Sequence, residues 1–173
     1  MINNVRERNP MPEQARAVRC TNFNEVALGY TEADAIREAM RCLNCRKKPC
    51  VAGCPIHQQI PEFIARVAEG DFEGAYDIIT VRSTMPSICG RVCPQEQQCE
   101  KNCAHAVKGE AVGIGRLERF VADWYAARHP VSVPAVEKKG KKVAVIGSGP
   151  AGIACAGDLA ALGYDVTIFE KLS

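Results

Sequence analysis

Eight of the chain's ten cysteines fall between Cys42 and Cys103, and no other feature limits its fold as tightly. They form two runs, Cys42-x2-Cys45-x4-Cys50-x3-Cys54-Pro55 and Cys89-x3-Cys93-Pro94-x4-Cys99-x3-Cys103. Sulfurs this close along a chain sit on tight loops from which several can converge on one centre. A cubane iron–sulfur cluster takes four ligands, usually thiolates, and proline after a ligand cysteine recurs in ferredoxin-type loops. Eight thiols match two such clusters. Zinc also takes four thiolates, but its sites come as paired short-spaced knuckles, and only Cys42-x2-Cys45 has that form. Spacing does not say which cysteine serves which centre, because the last cysteine of a run often ligates the other cluster.

Disulfides are the third use for so many cysteines. The stretch Met1 to Pro10 is polar and lacks the apolar core of a secretory signal, so the chain is expected in the cytoplasm, where thiols stay reduced. Cys20 and Cys155 stand alone and read as inert, small apolar side chains. His57, His105 and His129 are isolated, and the ligand count needs none of them. With a net charge of +2 and acids interleaved with bases, the 173 residues carry no footprint for nucleic acid or an anionic membrane. No run approaches the roughly 18 apolar residues of a membrane span.

Hydrophobic periodicity gives a mainly α chain. Residues 1–30 lack a sustained period and read as an N-terminal arm, with one short helix around Pro12 to Val18. Thr31 can cap a helix in which Asp34 is the acidic partner and Ala35, Ile36, Ala39, Met40 and Leu43 form an apolar stripe. Pro61 suits a first helical turn, followed by Phe63, Ile64, Val67 and Ala68 until Gly70 stops the pattern. Asp71 can cap the next helix, with Phe72, Ala75, Tyr76 and Ile79 on one face, before Ser83 to Pro86 breaks it. Ile114 to Arg128 carries a strong helical signal. A helical domain over residues 31–128 and a lysine-rich linker over 129–141 follow.

From residue 142 the pattern changes. Val143 to Ile146 and Asp165 to Phe169 read as buried parallel strands, with Ala151 to Leu162 helical between them. The loop Gly147-Ser148-Gly149-Pro150-Ala151-Gly152 sets G-x-G-x-x-G between strand and helix, and Glu170 ends the second strand. That context makes the motif a dinucleotide site: Gly147 for the tight turn, Gly149 for approach to a pyrophosphate, Gly152 for close packing, and Glu170 for ribose hydroxyls. Iron–sulfur centres nearby favour FAD, because a hydride donor delivers electron pairs and a flavin converts them to single electrons. An open sheet needs several such units, so residues 142–173 are expected to be only the start of an FAD-binding domain.

Arg41-Cys-Leu-Asn-Cys45, Cys54-Pro-Ile-His57, Cys89-Gly-Arg-Val-Cys-Pro94, Gly113-Ile-Gly-Arg-Leu-Glu118 and the glycine loop together resemble the small-subunit family of bacterial glutamate synthase. The same module is similar to the N-terminal part of dihydropyrimidine dehydrogenase and to the large subunit of NADH-dependent ferredoxin:NADP oxidoreductase. The resemblance implies an α-helical ferredoxin-like domain with two [4Fe–4S] clusters, then a Rossmann-like βαβ unit opening an FAD domain that carries an NAD(P)H domain. It assigns Cys42, Cys45, Cys50 and Cys103 to one cluster, and Cys54, Cys93, Cys99 and Glu118 to the other, with Cys89 a spectator. It implies a relay from NAD(P)H through FAD and the clusters to a partner, either a large subunit carrying FMN and a further cluster or another electron-acceptor subunit. This chain alone is expected to be inactive. The reading of a different class is a helical interaction module that zinc merely stabilises.

Overall fold

A computed structural model of the protein describes residues 5–130 and 135–172. Residues 1–4 of the expected arm, residues 131–134 of the expected linker and Ser173 lie outside the described residues. The chain divides into two compact units between His129 and Pro130.

The first unit is helical: α1 (Arg16–Arg19), α2 (Glu32–Ala39), α3 (Pro49–Ala52), α4 (Ile60–Glu69), α5 (Phe72–Thr80), α6 (Pro86–Val92) and α7 (Ile114–Arg128). Local chemistry sets the ends. The Thr31 hydroxyl accepts from the Asp34 backbone N–H at 3.2 Å while the Asp34 carboxylate accepts from the Thr31 N–H, a reciprocal capping box. Gly70 closes α4 with a φ of 79°, and the Asp71 carboxylate accepts from the Gly74 N–H at 2.9 Å to open α5. Helix α7 then covers the α4–α5 hairpin, with Phe63, Val67, Ile79, Leu117 and Val121 fully buried and Phe72 edge-on to Phe120 at 5.0 Å.

Two details differ from the sequence pattern. Helix α2 ends at Ala39, so Leu43 lies beyond the apolar stripe and is 40% exposed. Pro86 begins another helix where only a break is expected, which puts Cys89 on α6 and not on a loop. Gly90 lets α6 lie against α7: a methyl group there would sit 2.6 Å from the Arg119 backbone nitrogen.

The arm, which lacks a period of its own, is held by a buried ion pair. Arg41 and Glu38 are almost wholly buried and meet at 2.5 Å. Arg41 donates to the carbonyls of Val5, Arg6, Glu110 and Ala111, while Glu38 accepts from the N–H groups of Asn9 and Gly113. Residues 12–28 fold back on themselves through Leu28 N–H to Pro12 O at 2.7 Å and Gln14 N–H to Val26 O at 2.9 Å.

In the second unit β1 (Lys142–Ile146) pairs in parallel with β2 (Asp165–Phe169), Val143 opposite Val166, and α8 (Pro150–Ala161) connects them. The expectation of buried strands is not met: Ile146 and Phe169 are exposed. One helix cannot cover both faces of a two-stranded sheet. Cys155, read as an inert core residue, is also exposed, as is Cys20 in the first unit.

Arg41→Ala leaves Glu38 charged and buried, which destabilises the first unit by about 3–5 kcal/mol in chemical denaturation. Replacing Arg41 and Glu38 together by methionine recovers part of that loss.

Candidate metal centre and nucleotide loop

The fold sorts the cysteines into two groups that do not follow their order in the sequence. Cys42 comes from the turn after α2, Cys45 from the following loop, Cys50 from α3, and Cys103 from the end of the second run; all four line one cavity, walled by Ile60, Ile64, Val112 and Ile114. Asn44 and Lys48 take left-handed backbone angles, φ 46° and 43°, which fold the short loop so that its three sulfurs face one space. Burial raises the Cys42 thiol and pushes Cys50 up to about 11, and the neighbouring thiols add to both.

Cys54, the last cysteine of the first run, stands with the second group. Cys93 lies within electrostatic reach of Cys89, Glu118 and Cys54, and Cys99 within reach of Cys54 and Cys93. Burial pushes Cys99 up to about 12. Helix α7 carries Glu118 into this group on its first turns, where burial raises its carboxyl to about 7. Glu118 has no hydrogen-bond or ion-pair partner among the described residues. The buried Ser83 hydroxyl donates to the Cys89 sulfur at 3.8 Å, and the Cys93 thiol donates to the Gln98 side-chain carbonyl at 3.3 Å.

Burial favours the neutral thiol, and a bound cation would favour the ligating thiolate. Among the described residues no three cysteine, histidine or acidic side chains close to the distances of a single ion.

The supporting roles of the neighbouring residues escaped the sequence reading, although Arg41 opens the motif Arg41-Cys-Leu-Asn-Cys45 and His105 reads as isolated there. Arg41 and Glu38 sit one and four positions before Cys42. Glu100, beside Cys99, is buried; burial raises its carboxyl, while Arg8 at 2.9 Å pulls it down, and it accepts from the Gly115 N–H. His105 lines the first cavity, with its Nδ1 held by the Glu110 carbonyl at 3.0 Å. A polar residue one or two places from a cysteine was the available signal, and it is too common to single these out.

In the second unit Gly147 has a φ of 98°, Gly149 precedes α8, and Pro150 and Ala151 form its first turn. A methyl group on Gly152 would collide with the Gly147 carbonyl oxygen, so that glycine permits the helix to pack on the loop. Glu170 has a role that the motif did not suggest. Its carboxylate accepts from the Ser148 N–H at 2.8 Å and the Ser148 hydroxyl at 2.9 Å, and from the Leu172 and Lys171 N–H groups. These bonds, that from Leu172 foremost, hold its pKa down to about 2.

A helical unit with two thiol groups, joined to a glycine-loop βαβ unit, defines an iron–sulfur domain that leads into a dinucleotide-binding fold. Residues 19–130 match the family described as dihydropyrimidine dehydrogenase domain II, 4Fe-4S cluster, and the chain belongs to it. Residues 142–173 match the pyridine nucleotide-disulphide oxidoreductase family. The chain is 41% identical to the UacF protein of Escherichia coli K12 over 88% of its own length and 24% of the relative's. It is 38% identical to the NAD-dependent dihydropyrimidine dehydrogenase subunit PreT of Salmonella typhimurium, over 86% of this chain and 36% of that one. The glutamate synthase [NADPH] small chain of Escherichia coli K12 is 35% identical over 92% of this chain and 34% of the relative. The chain thus spans about a quarter to a third of the curated relatives it matches. No described helix is long and apolar enough to cross a membrane.

Glu170 keeps its charge, and its hold on the loop, well below the ordinary carboxylate range. The Ser148 amide resonance therefore stays constant in NMR from pH 7 to pH 4, because a depressed carboxylate loses its contribution only as pH falls toward about 2. A midpoint near 4.5 would show that the carboxylate does not hold the loop.

Proposed function

We propose that the chain is the electron-relay end of an NAD(P)H-dependent, flavin and iron–sulfur oxidoreductase of the glutamate synthase small-subunit type. Its parts are an arm over residues 1–30, an α-helical ferredoxin-like domain over 31–128, a linker over 129–141 and, over 142–173, the Rossmann-like opening of an FAD domain. The observation that carries this reading is the exchange of Cys54 and Cys103 between the two sequence runs, which leaves four thiols around one cavity.

Cys42, Cys45, Cys50 and Cys103 would hold one [4Fe–4S] cluster, and Cys54, Cys93, Cys99 and Glu118 the other. Glu118 suits the fourth place of the second group because its half-buried carboxyl lies within electrostatic reach of Cys89 and Cys93 and has no hydrogen-bond or ion-pair partner among the described residues. When bound, such clusters store and pass single electrons. The chain's part is to hold them in a dry setting: Ile60, Ile64, Val112 and Ile114 exclude water, and Glu38, Arg41, Arg8 and Glu100 fix the backbone on either side. The glycine loop and the start of α8 would bind the FAD pyrophosphate, with Glu170 exchanging its bond to Ser148 for one to ribose.

The partner that receives the electrons is an acceptor subunit, by the resemblance a large subunit with FMN and a further cluster. A subunit of the dihydropyrimidine dehydrogenase type is the second reading, favoured by the match over residues 19–130. The whole relay would work in the cytoplasm.

Iron, zinc and sulfide analysis with a visible spectrum, on anaerobically reconstituted protein, tests the proposal. About eight iron and eight sulfide per chain with brown absorbance is the expected result. One or two zinc atoms in a colourless protein after reconstitution would replace it with the zinc-stabilised module. Glu118→Ala loses about four of the eight iron atoms, while Cys89→Ser retains all of them; the reverse pattern would exchange the roles of those two residues.

A further inference from the structure

We infer that the groove outside the first thiol cavity is the face through which electrons cross to a protein acceptor, and that the acceptor presents an acidic surface there. This rests on the cluster reading above. Leu43, Ala104 and His105 line the thiol cavity on one side and a surface groove of about 530 Å³ on the other. The wall between the Cys42–Cys103 site and the outside is therefore one layer of residues. Electron transfer weakens steeply with distance, so a wall this thin permits exchange across it; the other near approach, a cleft that Cys42 lines, is bordered by Glu69 and does not suit an acidic acceptor.

The groove has the make-up of a docking face. Its apolar members are Leu43, 40% exposed, and Val107, 82% exposed, each next to a residue of the thiol loops. Arg6 and Lys108 line it as well. The two segments that carry the site's thiols are cationic throughout: residues 43–57 hold Arg46, Lys47 and Lys48 with no acid, and residues 101–109 hold Lys101 and Lys108 with none. Arg46 and Lys47 are exposed, while Lys48 is paired with Glu62. Two exposed acids stand nearby, against the exposed cations Arg6, Arg46, Lys47, Lys101 and Lys108. The Glu110 carboxylate accepts from the Arg8 N–H, and Glu7 borders a separate cleft with Arg8 and Arg37. The net charge of the whole chain is only +2, so this concentration of positive charge is local.

An acidic, single-electron acceptor fits such a face: opposite charge speeds encounter and orients it, and the apolar centre excludes water where the two redox centres approach. One electron leaves the reduced cluster and enters the acceptor; no proton or group moves. His105 shapes the wall at that point, with its ring fixed by the Glu110 carbonyl.

The test uses the complete chain, reconstituted without air, and two probe proteins of opposite charge, acidic cytochrome b5 and basic cytochrome c. Iron content and bleaching by dithionite are checked first. Labelled, redox-inert zinc-substituted cytochrome b5 then reports binding by fluorescence anisotropy, and stopped-flow absorbance reports reduction of each native cytochrome. Cytochrome b5 is expected to bind, and to be reduced faster than cytochrome c at low salt, with its rate falling about tenfold when ionic strength rises from about 20 to 200 mM. Arg46→Glu with Lys108→Glu should weaken binding at least about fivefold and reverse the preference between cytochromes. Arg16→Glu with Arg82→Glu, exposed positions elsewhere in the unit, should leave both unchanged. Equal effects from the two double variants, or no effect from the first in a protein that retains its iron and bleaches normally, would overturn this inference alone. A chain that takes up no iron would overturn the cluster reading and this inference with it.

Discussion

The buried pair of Arg41 and Glu38 is the contact on which the rest of the first unit depends. It ties three separate stretches together: the arm at Val5, Arg6 and Asn9, the end of α2, and the segment from Glu110 to Gly113 that leads into α7. Each backbone group it satisfies would otherwise be left unpaired in a dry interior. Because Cys42 follows Arg41 directly and α7 begins just after Gly113, the same pair fixes where the first thiol and the helix bearing Glu118 start. Such a pair repays its desolvation only when hydrogen bonds satisfy all of its remaining atoms, and here they extend to six backbone groups.

Around this frame the unit solves two conflicting requirements. Thiols that are to hold a metal centre away from water have to be buried, and burial raises Cys42, Cys50, Cys93 and Cys99 toward their neutral forms. Packing must therefore hold the arrangement together without help from the thiols themselves. Helices α4, α5 and α7 do this with an apolar core, and the close approach of α6 to α7 at Gly90 brings Cys89 and Glu118 within electrostatic reach of one another.

Much of this was legible in the residues. The Thr31 and Asp34 box, the Gly70 stop, the Asp71 cap and the span Ile114–Arg128 are local events, set by side chains within four positions of the backbone they act on. The glycine loop was legible for the same reason. Leu43 was misplaced because a stripe in sequence says nothing about where the helix ends, and the exposure of β1 and β2 could not be read from runs that are apolar whether covered or not. The pair of Arg41 with Glu38 spans three residues in the sequence, but its burial depends on partners 70 or more positions away, among them Ala111 and Gly113.

The sequence by itself determined the kind of chemistry, because eight closely spaced thiols and a glycine loop between strand and helix have few other uses, and it determined the helices whose caps lie beside them. Only the tertiary structure showed which thiols line a common space. The order Cys42 to Cys54 and Cys89 to Cys103 leaves the partition open, and the fold sets Cys103 beside the first group and Cys54 beside the second, as the family resemblance implied. The physical reason is that sulfurs are grouped by the backbone that carries them. That backbone is positioned by contacts between α4, α6, α7 and the arm that no short window of sequence contains.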